Sequence, residues 1–184
     1  LDDFTIDVTN SVSASFEHTP PTFLASDAAT EVADGGETIT LKFSEDLAAV
    51  ADDAAEHGQF TVLVNGVAND VTETSSSGSV LTLTVDKMIG TGDTVTVAYE
   101  AASGSELTDG DTNANELGNF SNTAITNSST QDVVVPTFLA SDAATEVAAG
   151  GDTITLKFSE NLAAVADDDA EYGQFTVLVN GVAN

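Results

Sequence analysis

The chain has 184 residues, with 31 acidic side chains against three lysines (Lys42, Lys87, Lys157), no arginine, and a formal charge of −28. That balance excludes nucleic acid and direct membrane insertion as partners: polyanionic surfaces repel it, and no apolar run is long enough to cross a bilayer. With no cysteine there are no disulfides, thiolate metal sites or cysteine nucleophiles, while 41% hydrophobic residues suffice for a packed core.

In chain order, Phe4–Asn10 resembles Ser121–Asn127: both end in Thr-Asn-Ser ahead of a polar stretch and a proline. Residues 1–20 are therefore expected to be the terminal strand of a preceding unit plus a linker. Strands are expected near 22–26 and over 37–43, 58–64, 67–74, 79–86, 93–100 and 119–127. The reason is period-two alternation, with threonine on one face and β-branched or aromatic side chains on the other, as in Leu81-Thr-Leu-Thr-Val85 and Val95-Thr-Val-Ala-Tyr99. Asn65-Gly66 marks a hairpin, because both residues tolerate positive φ. One segment breaks the β pattern. Residues 44–55 read as a short helix with Ser44 as N-cap and acids in its first turn, packing Leu47 and Val50 on the sheet. Alternating strand directions bring 44–57 and 101–118 to one pole, and 27–36 and 87–92 to the other, beside the outgoing linker 128–135.

Residues 136–184 repeat residues 21–69, a period of 115 (136 − 21), with five differences over 49 positions: Asp34/Ala149, Glu37/Asp152, Asp46/Asn161, Ala54/Asp169 and His57/Tyr172. So long a period implies whole domains in tandem. The expected organisation is residues 1–20 as above, 21–135 as a complete repeat with its outgoing linker, and 136–184 as the first half of a second repeat. Seven short strands in roughly a hundred residues suggest an all-β, immunoglobulin-like sandwich.

The most loaded segment is Glu106–Asn119. Asp109, Asp111, Asn113 and Asn115 alternate, and Glu116 follows. A tight loop with that spacing can turn several oxygens to one point, which suits calcium, a hard cation taking about six to eight oxygen ligands. It departs from an EF-hand, with Ala114 at the sixth position and Phe120 at the twelfth. The alternative is a solvated acidic loop held by Asx-turns. A second candidate cation site is the joint between repeats, with Asp132 in the linker and Asp27, Glu31 and Asp34 at one pole facing Asp167, Asp168, Asp169 and Glu171 of the next repeat. Such clustered carboxylates repel one another unless a cation bridges them.

Catalysis finds little support. The histidines are His18 and His57, and the counterpart of His57 is Tyr172. No nucleophile elbow, phosphate loop or dinucleotide-binding glycine pattern occurs. Asn119-Phe-Ser121 and Asn127-Ser-Ser129 match the glycosylation triplet.

The order Pro21-Thr-Phe-Leu-Ala-Ser26, Thr38-Ile-Thr-Leu-Lys-Phe-Ser-Glu45, Gly58-Gln-Phe-Thr-Val-Leu-Val-Asn-Gly66, Thr91-Gly-Asp-Thr-Val-Thr-Val-Ala-Tyr99, then Gly118 to Asn127 resembles two bacterial Ig-like tandem repeats. These are the Swm-type repeat of giant cyanobacterial and marine bacterial surface proteins and the SbsA-like Ig domain of surface-layer proteins. The resemblance covers 21–135 and the first half of a second repeat. It implies an extracellular, cell-surface location and a non-enzymatic stalk, often calcium-stiffened, that extends an adhesive tip and has adjacent identical repeats as its partners. The alternative expectation is a subunit of a self-assembling filament or surface layer, completed by strand exchange with a neighbouring copy. A carbohydrate- or ice-binding module is the third. It is disfavoured because aromatics are only 6% of the chain and fall mostly at core-phase positions.

Overall fold

The computed structural model describes residues 19–111, 114–164, 174–180 and 182–183. The expected strand over 4–10, His18 and the carboxylates at 167–169 and 171 lie outside the described residues. The chain divides into two units between Val133 and Val134.

Among its described residues, the first unit is all-β apart from one turn of helix. Its elements are β1 (Glu31–Val32), β2 (Thr38–Lys42), α1 (Ala54–His57), β3 (Phe60–Val64), β4 (Val67–Asn69), β5 (Val71–Ser77), β6 (Val80–Val85), β7 (Val95–Tyr99) and β8 (Phe120–Asn127). The strands form one sheet in the order β4-β3-β7-β8-β1-β2-β6-β5. All pairs are antiparallel except β1 with β8, which is parallel. β8 is the strand on which the sheet turns. Residues Phe120 to Ile125 face β7, and Thr126 and Asn127 pair with Glu31 and Val32. The two arms close over one core, in which Ile39, Leu41, Phe43, Leu81, Leu83, Val97 and Tyr99 are buried. Alternation drives this burial: every second residue of β2, β6 and β7 points inward. Each such aliphatic or aromatic side chain contributes about 1.5–3 kcal/mol. Phe23 stacks on Phe120 at 4.4 Å and meets Phe43 at 5.8 Å, tying the arms together.

Three sequence expectations need correction. The helix over 44–55 shrinks to Ala54–His57, capped by Asp53, whose Oδ1 accepts the N–H groups of Ala55 and Glu56. Ser44 cannot cap a helix, because it exchanges hydrogen bonds with Thr22 instead. The N–H groups of Leu47 and Ala48 donate to Gly78 and Thr108, so the segment runs as an irregular strap. Leu47 is nevertheless buried, and Val50 packs on the same core. The single strand expected over 67–74 is two. β4 stays on β3 and β5 crosses to β6, with Asn69 at the crossing trading two hydrogen bonds with the backbone of Lys87. Near 22–26 only a bridge between Phe23 and Phe43 forms, and the strand of that region is β1, within a stretch expected to be loop. Asn65 (φ 52°) and Gly66 (φ 80°) do form the tight turn between β3 and β4.

The second unit repeats the local geometry of 21–69 without the strands that cover it. β9 (Glu146–Val147) pairs with β10 (Ile154–Thr155) in the register of β1 with β2, shifted by 115. The hydroxyl of Thr145 reproduces that of Thr30, donating to Leu139 O and accepting from Lys157 N. β11 (Leu178–Val179) and β12 (Val182–Ala183) make the last hairpin. Side chains whose counterparts are buried stay exposed here: Val147 is 60% and Ile154 46% accessible, against 0% for Val32 and Ile39.

Candidate functional site at the two poles of the repeat

Residues 44–57 and 101–118 meet at one pole. Leu47 bridges Asp109, Ala48 N–H donates to Thr108 O, and Gly110 N–H donates to Asp46 O. The buried side chain of Gln59 pins the start of the loop, donating to Ser105 O and accepting from Ala102 N. The loop is itself a narrow hairpin: Leu117 N–H donates to Leu107 O, Asp109 N–H donates to Asn115 O, and both leucines are buried. Tyr99 anchors it from below, its hydroxyl accepting from Leu107 N–H at 2.9 Å.

This hairpin decides how the expected calcium ligands are placed. Asp109 is buried, and its carboxylate accepts from the N–H of Asp111, the N–H of Asn115 and the side-chain amide of Asn115. The Asn115 amide, followed by its own burial and the two backbone donors, sets its titration: the hydrogen bonds hold the carboxyl below the usual aspartate range. Asp109 is therefore the organiser of the loop, and its oxygens face the loop's own donors. Asp111 and Glu116 are exposed, Asn113 lies outside the described residues, and Asp132 is exposed in the first unit's outgoing segment. Among the described residues, no three His, Asp or Glu side chains come together as a metal site.

The other pole is built by residues 27–36, 87–93 and 127–133. The outgoing segment is not a free tether. Its residues alternate between two flanks. Ser128 N–H donates to Val32 O, Ser128 Oγ to Glu31 at 2.5 Å, Thr130 N–H to Asp34 O and Thr130 Oγ1 to the Asp34 carboxylate at 2.6 Å. On the other flank, Asn127 donates to Gly90 O and Asp93 O, Ser129 Oγ to Ile89 O at 2.7 Å, and Gln131 O accepts from Thr91 N–H. The carboxylates Glu31 and Asp34, expected to need a bridging cation, are engaged by hydroxyls of the segment itself. Asp27 caps the turn at Ala29 N–H. Asn127, part of one glycosylation triplet, spends its amide on two carbonyls. Sequence reading missed Gln59, Ser129 and Thr130, because isolated polar residues in polar surroundings carry no periodic signal. The unbroken polar run Asn127-Ser-Ser-Thr-Gln131 at the end of a strand was the available clue.

The entering chain lies at the far end of β8. Pro20, Pro21 and Thr22 border a hollow shared with Leu117 to Phe120. Eight residues of strand, about 26 Å, thus separate where the repeat is entered from where it is left.

Within the 44–57 segment, His57 Nε2 and Asp52 Oδ1 are 2.8 Å apart, and Thr74 N–H also donates to Asp52. No helix among the described residues is long and apolar enough to cross a membrane.

Fold and poles together define a tandem, all-β structural repeat. Residues 16–104, just under half of the chain, match the model of the SWM repeat, described as a putative flagellar system-associated repeat. No curated protein matches the chain. Among solved structures, the N-terminal part of the bacterial S-layer protein SbsC is 17% identical with a TM-score of 0.42, over 65% of this chain and 26% of that one. The S-layer protein rSbsC is 18% identical with the same TM-score, over 65% of this chain and 15% of that one. The chain thus spans about a quarter or less of the length of these structures.

Proposed function

We propose that the chain is an extender segment of a repetitive cell-surface protein, a stalk whose units are joined end to end and whose partners are adjacent copies of the same repeat. The observation that carries the reading is the 115-residue tandem duplication of a unit entered at one end of β8 and left at the other. A unit of that form adds length with every copy. It needs no active site, and the replacement of His57 by Tyr172 removes the one histidine that could have served each copy. The surface location rests on the match to the flagellar-associated repeat and on the acidic surface. In this proposal calcium acts on exposed carboxylates, Asp111, Glu116 and Asp132 among them, and not at Asp109.

Small-angle scattering on arrays of one to four repeats tests the extender reading. Maximum dimension should grow by a constant step per repeat. Growth with the square root of repeat number, as for a flexible chain, would overturn it. The calcium part is tested separately: millimolar calcium should raise the melting temperature more than sodium chloride of equal ionic strength, and an equal effect would remove calcium while leaving the stalk.

A second reading is assembly by strand exchange. It is favoured by the apolar cleft of Ile154, Leu156, Phe175 and Val177, whose counterparts are the buried Ile39, Leu41, Phe60 and Val62. The occupant would be the 70–127 segment of a second copy. Light scattering decides it, since a strict monomer at high concentration excludes exchange.

A further inference from the structure

The outgoing segment has the geometry of a mechanical device. β8 and β1 run parallel, with the register Glu31↔Thr126 and Val32↔Asn127. The chain enters the repeat beside the start of β8 and leaves beyond its end. Tension between neighbouring units therefore pulls β1 through its N-terminal side and β8 through its C-terminal side, in opposite directions along parallel neighbours. Bonds that cross between such strands lie across the pull and are all strained at once. A hairpin pulled at its open end, by contrast, loses its bonds one at a time.

The two registered pairs are few for such a role, and residues 128–131 add to them. Ser128 joins Val32 and Glu31 by two hydrogen bonds, and Thr130 joins Asp34 by two, one of them a hydroxyl–carboxylate bond of 2.6 Å. Gln131 adds a side-chain bond to Asp34 O. The opposite flank is closed by Ser129 on Ile89 O and by Thr91 on Gln131 O. The strand pairing is thus continued past the end of β8, on both sides, by backbone and side-chain bonds together.

We propose that residues 128–131 form a shear clamp with 31–34, so that the repeat resists tension transmitted along the array. The inference rests on the extender reading, in which tension is the working condition. It assigns Asp34, Ser128 and Thr130 a task that folding at equilibrium does not require. The second copy carries Ala149 in place of Asp34 and keeps the hairpin register of β1 with β2.

Force spectroscopy on the full chain, held by its two ends, tests the clamp. The first unit is recognised by the roughly 400 Å that about 115 residues release. Asp34→Ala and Thr130→Val should each speed unfolding at constant tension about five- to tenfold, as expected for one exposed hydrogen bond, because forced unfolding is governed by the unfolding rate. Ser76→Ala is the comparison. Its hydroxyl also makes two hydrogen bonds, with Val50 N–H and Ala48 O, but off the pulled pair. It should shift the urea midpoint by a similar amount and change the rate under tension less than about twofold. Rates under tension for Asp34→Ala and Thr130→Val no higher than for Ser76→Ala would overturn the clamp, with the urea midpoints confirming that each variant folds. That failure would leave the scattering result untouched, and flexible arrays with a force-sensitive Asp34 would overturn the extender reading alone.

Discussion

The side-chain amide of Asn115 donates to the Asp109 carboxylate at 2.7 Å, and the backbone N–H of the same residue donates to it at 3.1 Å. One buried carboxylate thus holds both strands of the 107–117 hairpin. Asp109→Ala leaves those donors without a partner beside a buried hairpin, which costs about 1–3 kcal/mol. The loss should be the same in chelator and in millimolar calcium, measured by urea unfolding. A loss that appears only with calcium present would make Asp109 a ligand.

Tyr99 supports the same hairpin from the core side. Its ring lies 5.3 Å from Phe60 and 5.9 Å from Phe120, so Tyr99→Phe keeps the packing. What it removes is the acceptor for the buried N–H of Leu107. The expected cost is about 1–2 kcal/mol, with faster hydrogen exchange at Leu107 and Leu117 and little change in β2 and β6. A uniform increase in exchange would mean that the loop is not a separate cooperative element.

Acid should act in two opposite directions. The carboxyl of Asp52 is held below its ordinary range by the His57 side chain and then by Thr74 N–H, and that of Asp109 by Asn115. A carboxyl whose folded pKa is depressed adds stability that is present above the unfolded value, near 4. That contribution is lost as pH falls through the folded one. Repulsion within a chain of charge −28 acts the other way, easing as carboxylates protonate. Urea midpoints should therefore rise gently from pH 7 to about 5 and fall steeply below about 4. Asp109→Ala should make the acid limb shallower. A midpoint that keeps rising through pH 3 would show that these hydrogen bonds contribute nothing.

How much of this was legible in the sequence follows from the range of the interactions. β2, β6 and β7 are written in their own alternation, and Asn65-Gly66 writes the turn after β3. The second unit makes the point physically: it forms the β1–β2 register and the Thr30 contacts with the rest of the sheet missing. β1 was not legible, because two residues carry no period and their pairing with β8 depends on a strand almost a hundred residues away. The helix over 44–55 failed for the same reason. Its local signals were sound, but Thr22, Gly78 and Thr108 claimed the backbone and cap groups. At the candidate site the oxygen spacing was visible, yet spacing does not say whether a carboxylate meets a cation or an N–H.

Two glycines at the outgoing pole separate a folding role from a tethering role. Gly36 has φ +73°, and a Cβ there would collide with the Ile89 carbonyl and press on Ser129. Backbone cannot give way, so Gly36→Ala should cost about 2–3 kcal/mol by adding left-handed strain to the clash. At Gly90 a Cβ would collide only with the side chain of Val133 and approach Asp93. Val133 lies at the end of the outgoing segment and is 43% exposed, so it can swing away. Gly90→Ala should therefore cost less than about 1 kcal/mol, while the amides of residues 132 and 133 become mobile on the nanosecond scale. Urea unfolding and backbone NMR relaxation on both variants measure the contrast. Equal stability losses, with residues 132 and 133 unchanged in Gly90→Ala, would show that Val133 is not held on Gly90.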